Sequence, residues 1–459
     1  MHTSNQRNSI LAGLLAATAA AAAALPAAAG QPHANAIVDL HCAQQDGLGS
    51  TQQLRMEKLV AEVLRSPEIA AGRERIVALY RQDAMAKIPD GAATIDHAAL
   101  SIATAMAGLG VIHSSADSGL MWTANAGHRW FGVETTNSGY GIENPDNVYR
   151  HVAIDGAGRY TIKGRLPAQP PSQQSFILYD GIPGIGKMTK EGADVIAVLD
   201  QVQTDADGNF TITVDAEPAG GRVNHIRSRP GQQALIVRDS LADWARETPI
   251  PLQVSRLDAH PAGLASLPAA VRKTAELIET SPRYWLDYNN TYLYTQPPNR
   301  VSPPRLRPSG WGMSASGHFD LAAGQALVIT LHDLGAGYLG FQLADTWGVA
   351  LEYVERTGSL NAAQVKRNPD GSITYVIAAE DPGVHNWLDT GGLRQGIFAI
   401  RWQDFGATPN PGDAVVGYRL MPVKEIAETT NIQQRLSAAQ RDQHRAQRKN
   451  DYLKRVGCR

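Results

Sequence analysis

The sequence predicts a mainly β protein, α+β overall. It reads as two jelly-roll or sandwich-like β domains with an N-terminal helical region and a helical connection. Three observations carry the prediction. Apolar residues recur at helical spacing between residues 50 and 110, then at a period of two from Trp130 onward. A helical, then aromatic and proline-rich stretch separates two sets of strand-like segments. The two strand sets also resemble each other over a long stretch that needs no gap.

In chain order, the first segment stands apart from the fold. MHTSNQRNS carries one firm positive charge, Arg7, Ile10 to Pro26 is apolar, and Ala27-Ala28-Ala29 places small residues before Gly30. These are the charged, apolar and cleavage parts of a secretory signal over residues 1–29. A membrane anchor is the alternative. The stretch is mostly Ala and short, however, and no later segment offers the ~18 uninterrupted apolar residues of a span. The expectation is a periplasmic or secreted protein without stable membrane insertion.

Residues 30–128 read as mostly helical: Leu54, Leu59, Val60, Val63 and Leu64 share one face, with Ser50 or Thr51 as cap. Ile76, Val77, Leu79 and Tyr80 suggest a second helix, and Ala98 to Leu109 a third. Residues 129–258 form the first predicted sandwich, with Tyr149-His151-Ala153, Tyr160-Ile162 and Phe176-Leu178 as strands. Residues 259–310 are the connection, helical through Leu264, Leu267, Val271, Ala275 and Ile278, then the aromatic run SPRYWLDYNNTYLYTQPPNR and VSPPRLRPSG. Residues 311–421 form the second sandwich. Residues 422–459 form a basic C-terminal helix, with Arg441, Arg445, Arg448, Lys449, Lys454 and Arg455 against Asp442 and Asp451. Its basic face is either solvated or a docking surface for an acidic partner.

The two halves look related. The pairs Asp207 and Asp370, Glu217 and Glu380, and Arg238 and Arg401 all stand 163 positions apart. A turn opens an alternating strand in each copy: Phe210, Ile212, Val214 in one, Ile373, Tyr375, Ile377 in the other. A Gly-rich loop follows, GGRVNHIRSRPG in the first copy and GVHNWLDTGG in the second. Equal spacing over this length points to a common β unit whose matching loops have diverged, and sandwich loop ends are where ligands commonly bind.

Composition bounds the function. The chain has 459 residues, 43% hydrophobic and 19% charged, with net charge −2, enough apolar residues for sizeable cores and no basic domain. That balance argues against a nucleic-acid partner. Only Cys42 and Cys458 are present; an oxidising compartment would permit a disulfide between the ends of the mature chain.

NPDNVYRHVAIDGAGRYTIKGRL (144–166) and GFQLADTWGVALEYVERTGSLNAAQVKRNPDGSITYVIAAEDPGVHNWLDTGG (340–392) together resemble the bacterial proteins containing domain of unknown function 1214, often accompanied by its relative 1254. The resemblance covers roughly residues 130–420, with NWLDT its most specific part. It implies a mainly β protein with a jelly-roll-like C-terminal domain and a helical insertion or neighbour. It implies no reaction.

Several segments can carry chemistry. Glu143 to Arg150 groups acids, amides, a phenol and a guanidinium, a mixture that suits a polar ligand and equally an Asx turn before a strand. Asp146, Glu143, Asp381, Asp389 and Asp345 supply the carboxylates that a glycosidase needs in pairs. Trp387 either plugs the end of its sandwich or touches a ligand. Tyr284, Trp285, Tyr288, Tyr292 and Tyr294 offer flat rings with polar tips, for a ligand or for a packed seam. GIPGIGKMTKEG begins like a phosphate-binding loop, but Met188 stands where the magnesium-binding hydroxyl is required. There is no G-x-S-x-G elbow and no HExxH. No cofactor is expected.

The expected site is an inter-domain cleft for a glycan or weakly polar small molecule, bound and, in a hydrolase or lyase, cleaved. Asp146 and Asp389 are its candidate general acid and base. Tyr149, Trp285 and Trp387 would give contact surface, Arg150 and Arg401 would orient oxygens, and Asn147, His385 and Asn386 would complete the binding set. The alternative is a non-catalytic periplasmic binding or assembly protein. A third reading is a metal-dependent enzyme using the region of His318 and His332.

Overall fold

The computed structural model describes residues 37–458, apart from 44, 46, 186–194, 200, 262, 308–311 and 430–434. The predicted signal segment and residues 186–192 of the glycine-rich GIPGIGKMTKEG stretch lie outside these. Strand β1 (Val38–Asp39) leads into helices α1 (Thr51–Arg65), α2 (Pro67–Arg81) and α3 (Pro89–Ser114). Ser50 caps α1, its hydroxyl accepting from Gln53 N at 3.2 Å. By length and composition α3 could cross a membrane; here most of it is buried inside the protein. Helices on several sides cover it, so its residues are apolar all round rather than on one stripe. Strands β2 (Met121–Thr123), β3 (His128–Trp130) and β4 (Val133–Thr135) follow, and β1-β3-β4 form a small sheet.

The first sandwich runs through β5 (Asn147–Asp155), β6 (Tyr160–Arg165), β7 (Gln173–Tyr179), β8 (Val195–Leu199), β9 (Asn209–Asp215), β10 (His225–Arg227), β11 (Gln232–Ser240) and β12 (Leu252–Arg256). Its sheets are ordered β2-β5-β11-β7-β8 and β10-β9-β6-β12. Helix α4 (Leu267–Tyr292) and the short β13 (Arg305–Leu306) lead to the second sandwich. That unit comprises β14 (Met313–Asp320), β15 (Gln325–Leu331), β16 (Ala336–Ala344), β17 (Ser359–Asn361), β18 (Ile373–Ala378), β19 (Trp387–Asp389), β20 (Gln395–Phe405) and β21 (Val415–Pro422). Its sheets are ordered β13-β14-β20-β16-β17 and β19-β18-β15-β21.

The two orders are the same, strand for strand, from β5 with β14 to β12 with β21. Even the parallel pairing recurs, β10 on β9 and β19 on β18. Asp207-Gly208 and Asp370-Gly371 therefore open equivalent strands. The inward sets also agree: Phe210, Ile212 and Val214 lie in one core, Ile373, Tyr375 and Ile377 in the other. Alternation at period two places these side chains between the sheets, where apolar burial holds each sandwich together.

Two expectations change. The aromatic run after Thr280, expected to follow the helix in the connection, is part of it, because α4 continues to Tyr292 with Pro282 inside it. Its Trp285, Tyr288 and Tyr292 follow helical spacing, the signal that the nearby Pro and Asn residues obscured. The basic C-terminal segment, α5 (Val423–Thr429) and α6 (Ala438–Arg455), turns several arginines inward. Arg441, Arg448 and Arg455 are buried; Arg448 and Arg455 lie over the Trp244 ring at 4.4 and 4.6 Å. Arg448 donates to Tyr353 O and Ser359 Oγ of the second half, Arg455 to Asn147 O of the first. Helix α6 thus spans the junction of the sandwiches, and the Cys42–Cys458 disulfide fastens its end to the N-terminal region.

Candidate functional site

A cavity of about 550 Å³ lies between the sandwiches. Its two β walls are equivalent. The first is the outward face of the sheet holding β5 and β11, with Asn147, Tyr149, His151, Ile236 and Arg238. The second is the matching face of the sheet holding β14 and β20, with Ser314, Ser316, Ala399, Arg401 and Gln403. Each set alternates with residues that point into a sandwich core, such as Val152 and Val237 or Phe398 and Trp402. Helices α1, α3 and α4 close the remaining sides. The expectation that ligands meet loop ends is replaced here by a cavity built from sheet faces.

The aromatic wall comes from α4 and neighbouring loops. Trp285 packs edge to face with Tyr140, Tyr284 and Tyr288, at centroid distances of 5.9, 5.2 and 5.5 Å. Gly141 and Gly184 admit this indole: a Cβ at either position would stand 2.8 Å from it, and both backbones have positive φ, 68° and 78°. The Trp285 Nε1 has no partner among the described residues.

Three guanidiniums line the same space. Arg238 lies over the Tyr149 ring at 5.6 Å and reaches Tyr179 OH at 3.4 Å. Arg401 donates to Ile142 O at 2.9 Å and to Gln342 Oε1. Arg307 sits at the rim and keeps contact with solvent. Desolvation, then the like charges of Arg401 and Arg238, push its guanidinium below its ordinary value.

Among the described residues, two carboxyl groups face the cavity. Glu57 is held by His128, Gln53 and Trp130, at 3.3, 2.8 and 2.6 Å. Glu143 is buried, accepts from Tyr353 OH at 3.1 Å on Oε1, and has no partner for Oε2 among the described residues. Burial raises its pKa to about 8, against the hydrogen bond from Tyr353 and the charges of Arg455 and Arg401. At neutral pH it is mainly a neutral acid. On the first wall, His151 Nε2 meets His113 Nε2 at 2.9 Å. Desolvation lowers His151 to about 3 and His113 well below its usual range, so both rings are neutral and one donates to the other.

Of the residues singled out in the sequence, Asn147, Tyr149, Trp285 and Arg401 line this cavity. Asp146 does not. It is buried at the junction of the halves, accepting at 2.8 Å from Trp244 Nε1, Tyr338 OH and Asn361 Nδ2. Arg150 points away too, ion-paired with buried Asp239 and bonded to Ile250 O. Both charges are consumed in holding backbone and neighbouring elements, so neither meets a ligand in this cavity.

The loop residues 380–392 lie elsewhere, under α6. His385 stacks on His444 with centroids 4.4 Å apart, and Trp387 lies beneath Arg441 and Arg445 at 5.0 and 5.8 Å. Asn386 bonds Lys366 O at 2.7 Å and Thr374 O at 3.0 Å. Asp389 is buried and bridges Arg356 and Arg445 at 3.1 and 3.2 Å. The loop is a receptor for the protein's own C-terminal helix, which corrects the composite site that joined it to Asp146. Glu143, one of the candidate carboxylates but not one of the expected acid and base, lines the cavity; the residues missed in the sequence are Arg238 and Arg307, and the internal repeat was the available signal for Arg238, through its match to Arg401.

His318 Nε2 bonds Gln296 O at 2.8 Å. Among the described residues no group of three His, Cys, Asp or Glu side chains is arranged to hold a metal ion.

No protein-family model and no curated protein matches the chain. Solved structures do. The chain is similar to an uncharacterized protein from Burkholderia cenocepacia at 22% identity and TM-score 0.60, over 82% of this chain and 99% of that one. A protein from Vibrio parahaemolyticus is similar at 10% identity and TM-score 0.37, over 62% and 90%. The first likeness shows a shared fold over most of the chain.

Proposed function

We propose that the protein binds a small molecule with a flat, weakly polar body in the cavity between its sandwiches, in the periplasm or outside the cell. The observation that carries this reading is the cavity itself: about 550 Å³, walled by both halves, with Trp285 and its aromatic neighbours in the lining. That size and an aromatic lining interleaved with convergent polar groups suit a drug-sized ligand. The disulfide between Cys42 and Cys458 supports an oxidising compartment. A ligand screen by thermal shift, covering aromatic compounds and oligosaccharides, tests the reading. Binders are expected to raise the Tm, and Trp285→Ala is expected to weaken them by about tenfold or more. A screen without binders, or binders indifferent to Trp285→Ala, would reject it.

A second reading, cleavage of the bound molecule by a hydrolase or lyase, is favoured by Glu143. A buried carboxyl kept protonated at neutral pH can donate a proton to a leaving group. If turnover is found, Glu143→Gln is expected to lower it by about a hundredfold while binding persists. Equal rates would leave binding alone.

A further inference from the structure

We propose that the molecule held in this cavity is a flat aromatic anion, its acidic oxygens gripped by Arg307 and Arg401 and its rings laid against Trp285 and Tyr288. The inference rests on the cavity reading above and adds the ligand's charge and where it sits.

The first ground is the charge around the cavity. Arg401 spends its hydrogen bonds on two neutral acceptors, Gln342 and Ile142 O. Among the described residues, neither Arg307 nor Arg401 forms an ion pair with a carboxylate. Among the described residues, the two acids that line the cavity form no ion pair with either arginine: Glu57 accepts from His128, Gln53 and Trp130, and Glu143 accepts from Tyr353 and is mainly neutral near pH 7. Like charges converging on a partly desolvated space are costly, and an oxyanion between them removes the repulsion while accepting forked hydrogen bonds.

The second ground is placement. The Tyr288 and Tyr149 side chains line the same cavity as Arg307. Tyr288 also touches Trp285, so the guanidiniums and the aromatic cluster form one continuous surface. Trp285 Nε1 and Gln403 Oε1, both without partners among the described residues, add polar contacts beside the rings. A ligand that uses both parts needs an anionic group at one end and a flat apolar body at the other. Naphthalene carboxylates and sulfonates share that chemistry.

The experiment compares anilinonaphthalene sulfonate with its uncharged parent, phenylnaphthylamine, by fluorescence titration of the folded protein. The sulfonate is expected to bind at one site per chain, about tenfold tighter than the parent. Arg307→Gln should remove that preference while leaving the parent's affinity unchanged. Naphthoate should displace the probe, and inorganic phosphate should not. Equal binding of the two probes, or an Arg307→Gln effect on both alike, would overturn the anion assignment and leave the cavity reading standing. Displacement by phosphate as effective as by naphthoate would overturn the aromatic half. If neither probe binds, or Trp285→Ala leaves both unaffected, the cavity reading fails and this inference with it.

Discussion

Arg238 and Arg401 occupy the same register position in the two sandwiches, Arg238 paired across β5 with Tyr149 and Arg401 paired across β14 with Ser314, and both face the cavity. The repeat has therefore placed one cation on each wall and let its cross-strand neighbour differ. Opposite Arg238 stands a ring for the guanidinium to cover. Opposite Arg401 stands a small hydroxyl, and the arginine reaches instead to Gln342 and Ile142 O.

A double-mutant cycle reads this difference. Tyr149→Ala and Arg238→Ala are expected to couple by roughly 0.5–1 kcal/mol in unfolding free energy, the range of a half-exposed cation–π pair. Ser314→Ala with Arg401→Ala should couple by less than about 0.5 kcal/mol. Equal couplings in the two cycles would contradict the assignment of the ring as Arg238's support.

Gly141 is a packing gate for the indole. Gly141→Ala drives a Cβ to within 2.8 Å of Trp285 at a backbone φ of 68°. We expect a loss of roughly 1–3 kcal/mol in stability from strain and overpacking. A changed Trp emission and weaker probe binding should accompany it. Wild-type stability and binding would show that the indole moves aside at no cost.

Asp389 is a clamp residue. Asp389→Asn removes the charge shared by Arg356 and Arg445 beneath α6. Both arginines keep solvent contact, so the expected loss is roughly 1–3 kcal/mol rather than that of a fully buried pair. Denaturant titration checks the size. Probe affinity in the folded variant should equal wild type, because the loop does not reach the cavity; a tenfold loss would return it to the ligand site.

Two buried groups give stability opposing pH slopes. Burial lifts the Glu143 carboxyl to about 8 from its ordinary 4.5, so the native state holds its proton longer than the unfolded chain. Its effect is most favourable below the unfolded value and is lost as pH rises through about 8. His151, lowered to about 3 from 6.5, behaves oppositely: its stability is present above the unfolded value and is lost as pH falls toward 3. Glu143→Gln should flatten the fall between pH 6 and 9 by roughly a few kcal/mol in denaturant titrations. An unchanged alkaline slope would place the titration elsewhere.

Much of the fold was legible because its signals are local. Alternation in FTITV identifies a half-buried strand, ITYVI is its counterpart buried on both faces, and the ungapped match from Asp207 to Arg238 with Asp370 to Arg401 lands on strands of equal rank. Asn147 and Tyr149 could be proposed as cavity residues from the polar cluster that opens β5, and Trp285 from its aromatic neighbours. The second cluster misled. HNWLD has the composition of a ligand loop, yet cation–π contacts, a histidine stack and a buried carboxylate serve equally well to seat a helix of the same chain.

By itself the sequence determined the alternating strands, the repeat and the helices, since these follow from periods of two and 3.6 along the chain. Which polar residues share a space was decided only by tertiary structure. Asp146 and Glu143 are three positions apart; one enters a network with Trp244, Tyr338 and Asn361, and the other faces the cavity. Residue type supplies the same carboxyl in both. The difference comes from partners 98 to 215 positions away, whose arrangement depends on how the two sandwiches and the C-terminal helix pack.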